Sequence, residues 1–286
     1  MERLKQYYQL TKPGIIYGNL MTAAAGFLFG SQFHINWCVF LATLAGTALV
    51  IASGCTYNNI LDREIDQKMQ RTSKRALATG EVSVTQAFIY ATVLGIIGFT
   101  LLVLWTHPIV VLVGAIALVD YVILYGFAKR HSVHGTLVGS ICGAAPLVAG
   151  YVAAVNQFDL TALILFGIMV AWQMAHFYAI AMYRASDYKK AGIPVLPVVR
   201  GMRAARTQIL GYIALFLVLN GLLFMGGAVG YVYVIIMLVV SADWLQRGLK
   251  RYKTADDTRW GKQMFFYSLT VLLLFSGALV LSVFLP

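Results

Sequence analysis

Long apolar runs separated by short polar ones repeat along the whole chain, at a length that suits one kind of element. A helix needs about 20 apolar residues to cross the hydrocarbon core of a bilayer. Nine stretches answer to that measure, at 14–34, 37–57, 85–105, 109–127, 135–155, 161–183, 207–226, 229–246 and 264–285. The pattern predicts an all-α polytopic membrane protein, nine transmembrane helices in a bundle, with 1–286 forming a single membrane-embedded domain. The connections at His107–Pro108 and Gly226–Gly230 are so short that the helices they join must be antiparallel neighbours. The first stretch does not read as a cleavable signal, because no small-residue cleavage site leads into a polar segment.

Composition sharpens this reading. The chain is 60% hydrophobic and 12% charged, about half the charged share of an ordinary soluble domain. All 22 Lys and Arg fall in the N-terminal segment or in the loops after the second, fourth, sixth and eighth stretches. The positive-inside rule then orients the chain, with a cytoplasmic N-terminus and an external C-terminus. The net charge of +11 is thus a topology signal and calls for no nucleic-acid partner. The cysteines, Cys38, Cys55 and Cys142, are odd in number and form no C-x-x-C pair. That tells against a disulfide framework or a thiolate metal site and leaves small apolar packing as their role.

Topology does not explain the acids of NNILDREIDQKMQRTSKRAL, residues 58–77. Acidic residues contribute little to membrane orientation, yet Asn58, Asp62 and Asp66 recur every fourth position at the membrane boundary. If the second helix continues past its apolar part, the three line one face, with about 6 Å between successive Cβ atoms. Two carboxylates and an amide oxygen offer the hard oxygen donors that Mg²⁺ takes, usually shared with water and substrate phosphates. Arg71, Lys74 and Arg75 follow closely and are suited to phosphate oxygens.

A second polar cluster ends the sixth stretch, in AWQMAHFYAIAMYRASDYKKAGIPVLPVVRG, residues 171–201. His176, Tyr183, Arg184 and Asp187 lie near the same membrane face, and Gly192, Pro194 and Pro197 break the helix so that the loop folds over. His176 falls one to two turns inside the boundary, where an ionisable group is a functional candidate; a neutral histidine hydrogen-bonded between helices is the alternative. Trp172 and Phe177 read as packing. Asp120 and Asp243 should face the bundle or water, and neither belongs to a recognisable pair.

A lipid-soluble diphosphate fits this assembly, with its head on the acid and arginine cluster at a cytoplasm-facing cavity and its hydrocarbon tail among the apolar helices. Stabilising the leaving diphosphate ionises the C–O bond. The sheltered allylic cation then attacks an electron-rich acceptor.

The motifs resemble those of the intramembrane prenyltransferases of the UbiA type, and more closely the branch that farnesylates heme. The stretches TKPGIIYGNL (11–20), SGCTYNNILDREIDQKMQRTSKRAL (53–77), KRHSVHGTLVGSICGAAP (129–146) and WQMAHFYAIAMYRASDYKKAGIPVLPVVRG (172–201) carry the resemblance. It implies transfer of the farnesyl group of farnesyl diphosphate to a vinyl group of heme B, with addition of water, to give heme O. It implies Mg²⁺ held with the diphosphate by Asn58, Asp62, Asp66 and Asp187, the last in the second polar cluster with Tyr183. Arg71, Lys74, Arg75 and Arg184 would bind phosphate, and His176 would hold or orient the porphyrin. It also implies a bacterial-type inner membrane, contact with membrane lipids, and heme-modifying enzymes or a terminal oxidase as partners downstream. Two departures stand out: Asn58-Asn59 replaces the Asn-Asp of relatives that prenylate aromatic rings, and Asp187 is alone where those relatives carry a second D-x-x-x-D. Both tell against a symmetrical two-metal site and fit an acceptor with no phenol to deprotonate. Prenylation of an aromatic quinone precursor is the alternative enzyme reading, and a transporter of an anionic lipid or metabolite the alternative outside enzymes.

Overall fold

A computed structural model describes residues 2–250, 252 and 256–286; Arg251 and Lys253, two of the basic residues counted above, lie outside the described residues. Every regular element among the described residues is helical: α1 (Glu2–Leu10), α2 (Pro13–Gly30), α3 (Trp37–Leu61), α4 (Arg63–Lys68), α5 (Ala76–Thr79), α6 (Val84–Trp105), α7 (Pro108–Val119), a π-helical turn (Asp120–Leu124), α8 (Tyr125–His131), α9 (Gly135–Val155), α10 (Leu160–Tyr183), α11 (Ala185–Lys190), α12 (Leu196–Val199), α13 (Gly201–Met225), α14 (Tyr231–Lys250) and α15 (Asp257–Leu281).

Eight helical stretches among the described residues are long and apolar enough to cross a membrane: α3, α6, Pro108–His131, α9, α10, α13, α14 and α15. The chain is an integral membrane protein. The first apolar stretch of the sequence forms α2, which has 18 residues and is not among the eight; glycines at 14 and 18 and Asn19 dilute its hydrophobicity. Asn19 turns its amide onto its own helix, donating to the Ile15 carbonyl at 2.8 Å. The helices α6 and α7 pack on each other, as do α13 and α14.

The bundle is held by α3 against α6, α2 against α9, and α10 against α9, α13 and α15. Large apolar side chains on α6 and α7, such as Ile96, Val103, Leu112 and Ile116, face outward, as lipid-facing positions do. Small residues set the closest approach. A Cβ on Gly150 of α9 would lie 1.9 Å from the Ala23 carbonyl oxygen of α2, and one on Gly26 would lie 2.2 Å from the Leu147 carbonyl oxygen. The two backbones therefore touch without side chains between them, the close packing that small residues permit in membranes. Gly150→Ala should cost about 1–3 kcal/mol through overpacking, read as a lower thermal midpoint in detergent. Gly277→Ala, whose Cβ meets nothing within 4 Å, should leave the midpoint unchanged or raise it.

Candidate active site

The stripe of Asn58, Asp62 and Asp66 is built where α3 ends. The helix stops at Leu61 and restarts at Arg63, with Asp62 at the junction (φ −84°, ψ 1°). The break is shallow. The Asp62 amide still donates to the Asn58 carbonyl at 2.9 Å, and the Asp66 amide to the Asp62 carbonyl at 2.8 Å. The four-residue register therefore survives, and all three side chains are buried.

Carboxylates out of water cost several kcal/mol each unless they are paired. Here the pairing comes from two distant parts of the chain. Lys129, near the end of α8, donates to Asp62 Oδ2 at 2.6 Å, and Arg130 Nη2 stands 3.6 Å from Asp62 Oδ1 while donating to the Leu61 carbonyl. Arg75, just before α5, donates through Nη1 to Asp66 Oδ2 at 2.7 Å and to Asn59 Oδ1 at 3.2 Å. Asn59 in turn donates to the Leu10 carbonyl at 2.8 Å, tying the end of α1 to the site. Lys12, between α1 and α2, sits in the left-handed region (φ 53°) and reaches Asn58 Oδ1 at 3.3 Å. Burial lowers its ammonium to about 8, with Arg75 and Lys129 pushing the same way and Cys55 and Asp62 opposing. Three cations thus pair with the two carboxylates, and a fourth, Lys12, stands beside them on Asn58.

The aromatic wall of the site comes from α8 and the π-helical turn. Tyr121 and Tyr125 stack at 5.7 Å, and Lys129 Nζ lies 5.9 Å from the Tyr125 ring. A glycine is required at 139, because a Cβ there would come 2.7 Å from that ring. Asp120 accepts from the Cys142 amide at 3.2 Å and does not reach the cluster's ion pairs.

The second loop approaches the first. Tyr188 on α11 lies within electrostatic reach of Tyr125, Lys129, Arg71 and Arg184; burial pushes its phenol up, helped by Tyr125 and opposed by the three cations. Asp187 is half-buried and makes no ion pair among the described residues. No group of three or more His, Cys, Asp and Glu among the described residues is placed to hold a metal ion. Asp187 is therefore not gathered with Asp62 and Asp66. Arg71 and Lys74 are exposed, and Arg184 stacks over Tyr183 at 5.0 Å.

His176 lies on the seam between α10 and α15. Its Nδ1 is 2.7 Å from Ser268 Oγ, and Ser268 Oγ donates to the Phe265 carbonyl at 2.6 Å. A hydroxyl has one proton. With that proton on the Phe265 carbonyl, Nδ1 would carry the imidazole hydrogen and Nε2 the lone pair. Trp172 stacks on the imidazole at 4.8 Å and fixes the same seam through its indole N–H to the Ser268 carbonyl at 2.8 Å. Tyr183 and His176 share Phe265 as a neighbour, at 5.6 and 4.9 Å.

Sequence reading treated Lys12, Lys129 and Arg130 as topology charges only, and gave Asn59 no partner. The signal for them was their place within TKPG and KRHSVHG, beside the membrane boundary that holds the acids.

The site's donors suit a magnesium ion carried in with a diphosphate. Asp62 Oδ1 is buried without a hydrogen-bond donor, an oxygen left open beside a second carboxylate one turn away. Two protein carboxylates are too few for a complete oxygen shell, which Mg²⁺ commonly completes with water and substrate phosphate.

Buried acids and converging cations at one end of a membrane-embedded helical bundle form a site suited to an anionic group. The chain belongs to the UbiA prenyltransferase family, whose model matches residues 19–270. It is 47% identical over 270 residues to a protoheme IX farnesyltransferase of Serratia proteamaculans (strain 568), covering 94% of this chain and 91% of that protein. In fold it is similar to a digeranylgeranylglyceryl phosphate synthase (TM-score 0.82, 20% identity, 99% of both chains). It is also similar to a UbiA homolog from Archaeoglobus fulgidus bound to GPP and Mg²⁺ (TM-score 0.69, 17% identity, 96% of this chain and 99% of that one).

Proposed function

We propose that this chain transfers the farnesyl group of farnesyl diphosphate to a vinyl group of heme B, with water adding to the resulting carbocation, to yield heme O and diphosphate. The observation that carries the reading is the charge ledger of the site: Lys12, Arg75, Lys129 and Arg130 against Asp62 and Asp66. The excess of positive charge around buried carboxylates suits a diphosphate. The heme acceptor follows from the sequence likeness to the farnesyltransferase above.

In this account Asn58, Asp62 and Asp66 hold Mg²⁺ with the diphosphate. The ion, when bound, offsets charge on the diphosphate oxygens. Lys129, Arg130 and Arg75 release part of their hold on the carboxylates and turn to phosphate oxygens. Arg71, Lys74 and Arg184, which pair with no carboxylate among the described residues, add to that side. These cations stabilise the negative charge that grows on the leaving group, where such stabilisation has most effect. The apolar helices keep water from the allylic cation until the vinyl carbon has attacked.

His176 is assigned to the porphyrin. Its Nδ1 is committed to Ser268, and a neutral imidazole with a bare Nε2 is a ligand for heme iron. His176→Ala should weaken heme B binding about tenfold or more in an absorbance titration, and unchanged affinity would return His176 to a packing role. The chain sits in a bacterial-type inner membrane, N-terminus cytoplasmic, as one catalytic domain, and supplies a downstream heme-modifying enzyme or oxidase. Replacing heme B with the analogue whose vinyl groups are ethyl groups tests the acceptor chemistry: no prenylated product should form. Product from the ethyl analogue would refute vinyl alkylation.

A further inference from the structure

A second cationic cleft lies between α14 and α15, with a volume of about 810 Å³. Arg247, Lys250, Arg259 and Lys262 line it, together with Phe266 and Thr270 further along α15. It is separate from the reaction site. Phe265 and Ser268 turn toward His176, whereas Phe266 and Thr270 project from the opposite face of the same helix, as their spacing requires.

The charges in this cleft are largely uncompensated. Asp243 is committed to Arg247 at 2.8 Å and to the Tyr267 hydroxyl. Asp257 pairs with Arg206, and Asp256 caps α15 by accepting from the Arg259 amide at 2.8 Å. Lys250, Arg259 and Lys262 make no ion pair among the described residues. All three are exposed and free to meet an anion from outside. The cleft lies where α14 ends and α15 begins, at the end of the bundle that carries the basic loops. Its wall runs from exposed cations to exposed Phe266 and Thr270, that is, from a head-group depth toward the hydrocarbon. A soluble anion has no use for such a wall.

We propose that this cleft binds an anionic membrane phospholipid, with Lys250, Arg259 and Lys262 on the phosphodiester and an acyl chain against Phe266 and Thr270. Basic pockets between transmembrane helices recognise lipid head groups in this way. The proposal stands apart from the chemistry of the reaction site.

Native mass spectrometry of the purified full chain tests it, with phosphatidylglycerol, phosphatidylcholine of matched chains, and inorganic phosphate as probes. One phosphatidylglycerol should bind in preference to phosphatidylcholine. The triple variant Lys250→Gln, Arg259→Gln, Lys262→Gln should lose about fivefold in phosphatidylglycerol affinity per charge, on the order of a hundredfold in all, with phosphatidylcholine binding unchanged. Thr270→Trp, which fills the apolar wall and keeps every charge, should also weaken the lipid. Retained phosphatidylglycerol affinity in both variants would overturn the proposal, as would equal loss of both lipids. Inorganic phosphate binding as tightly as the lipid would reassign the cleft to a free anion and overturn it too.

Discussion

Asp62→Asn should lower farnesyl transfer by on the order of a thousandfold, with membrane insertion and helical content unchanged. The substitution keeps the shape of a buried side chain that touches Lys129 and Arg130 and removes only its charge. Loss of one preorganised electrostatic group typically costs 10²–10³ in rate, and here the group serves both as an oxygen donor for the metal and as the anchor of two cations. A thousandfold corresponds to about 4 kcal/mol of transition-state stabilisation. The measurement is initial rate of modified heme at saturating substrates, alongside the thermal midpoint. A rate within threefold of the parent protein would remove Asp62 from the metal site.

Arg75→Ala should lower kcat/KM for farnesyl diphosphate by about a hundredfold or more. Its guanidinium alone joins Asn59 on α3 to Asp66 on α4, so its loss leaves Asp66 buried without its cation and removes a phosphate donor. Arg75→Lys restores the charge but not the planar fork. It should recover part of the activity and still bind diphosphate more weakly than the parent. An Arg75→Ala enzyme with unchanged kcat/KM would show that the cluster near α5 serves only structure.

The membrane helices were legible because an apolar run of bilayer length has few alternatives, and Trp37–Leu61, Val84–Trp105 and Gly135–Val155 fall close to the runs read from the sequence. Polar extensions were not. The helix α13 begins at Gly201 and α15 at Asp257, both in polar sequence where hydropathy has no say; Asp256 caps the second by accepting from the Arg259 amide. The i, i+4 stripe of Asn58, Asp62 and Asp66 was legible from local spacing, and it survives the break at Asp62 because the backbone ladder there is kept. Its partners were hidden for a simple reason. Lys12 lies 46 residues from Asn58 and Lys129 lies 67 from Asp62, and no local pattern joins residues that tertiary packing brings together. His176 was visible as an ionisable group within a span, but the Ser268 hydroxyl that its Nδ1 meets comes from 92 residues away.

The account turns on a diphosphate held at the Asp62–Asp66 cluster and given up as its farnesyl group passes to heme. Purified protein in lipid, supplied with heme B and farnesyl diphosphate, tests it most directly by mass analysis of the heme together with diphosphate released. The expected result is conversion to heme O with one diphosphate per heme, in the presence of Mg²⁺ and lost on chelation. Unmodified heme B at the end of the reaction, with or without release of diphosphate, would contradict it.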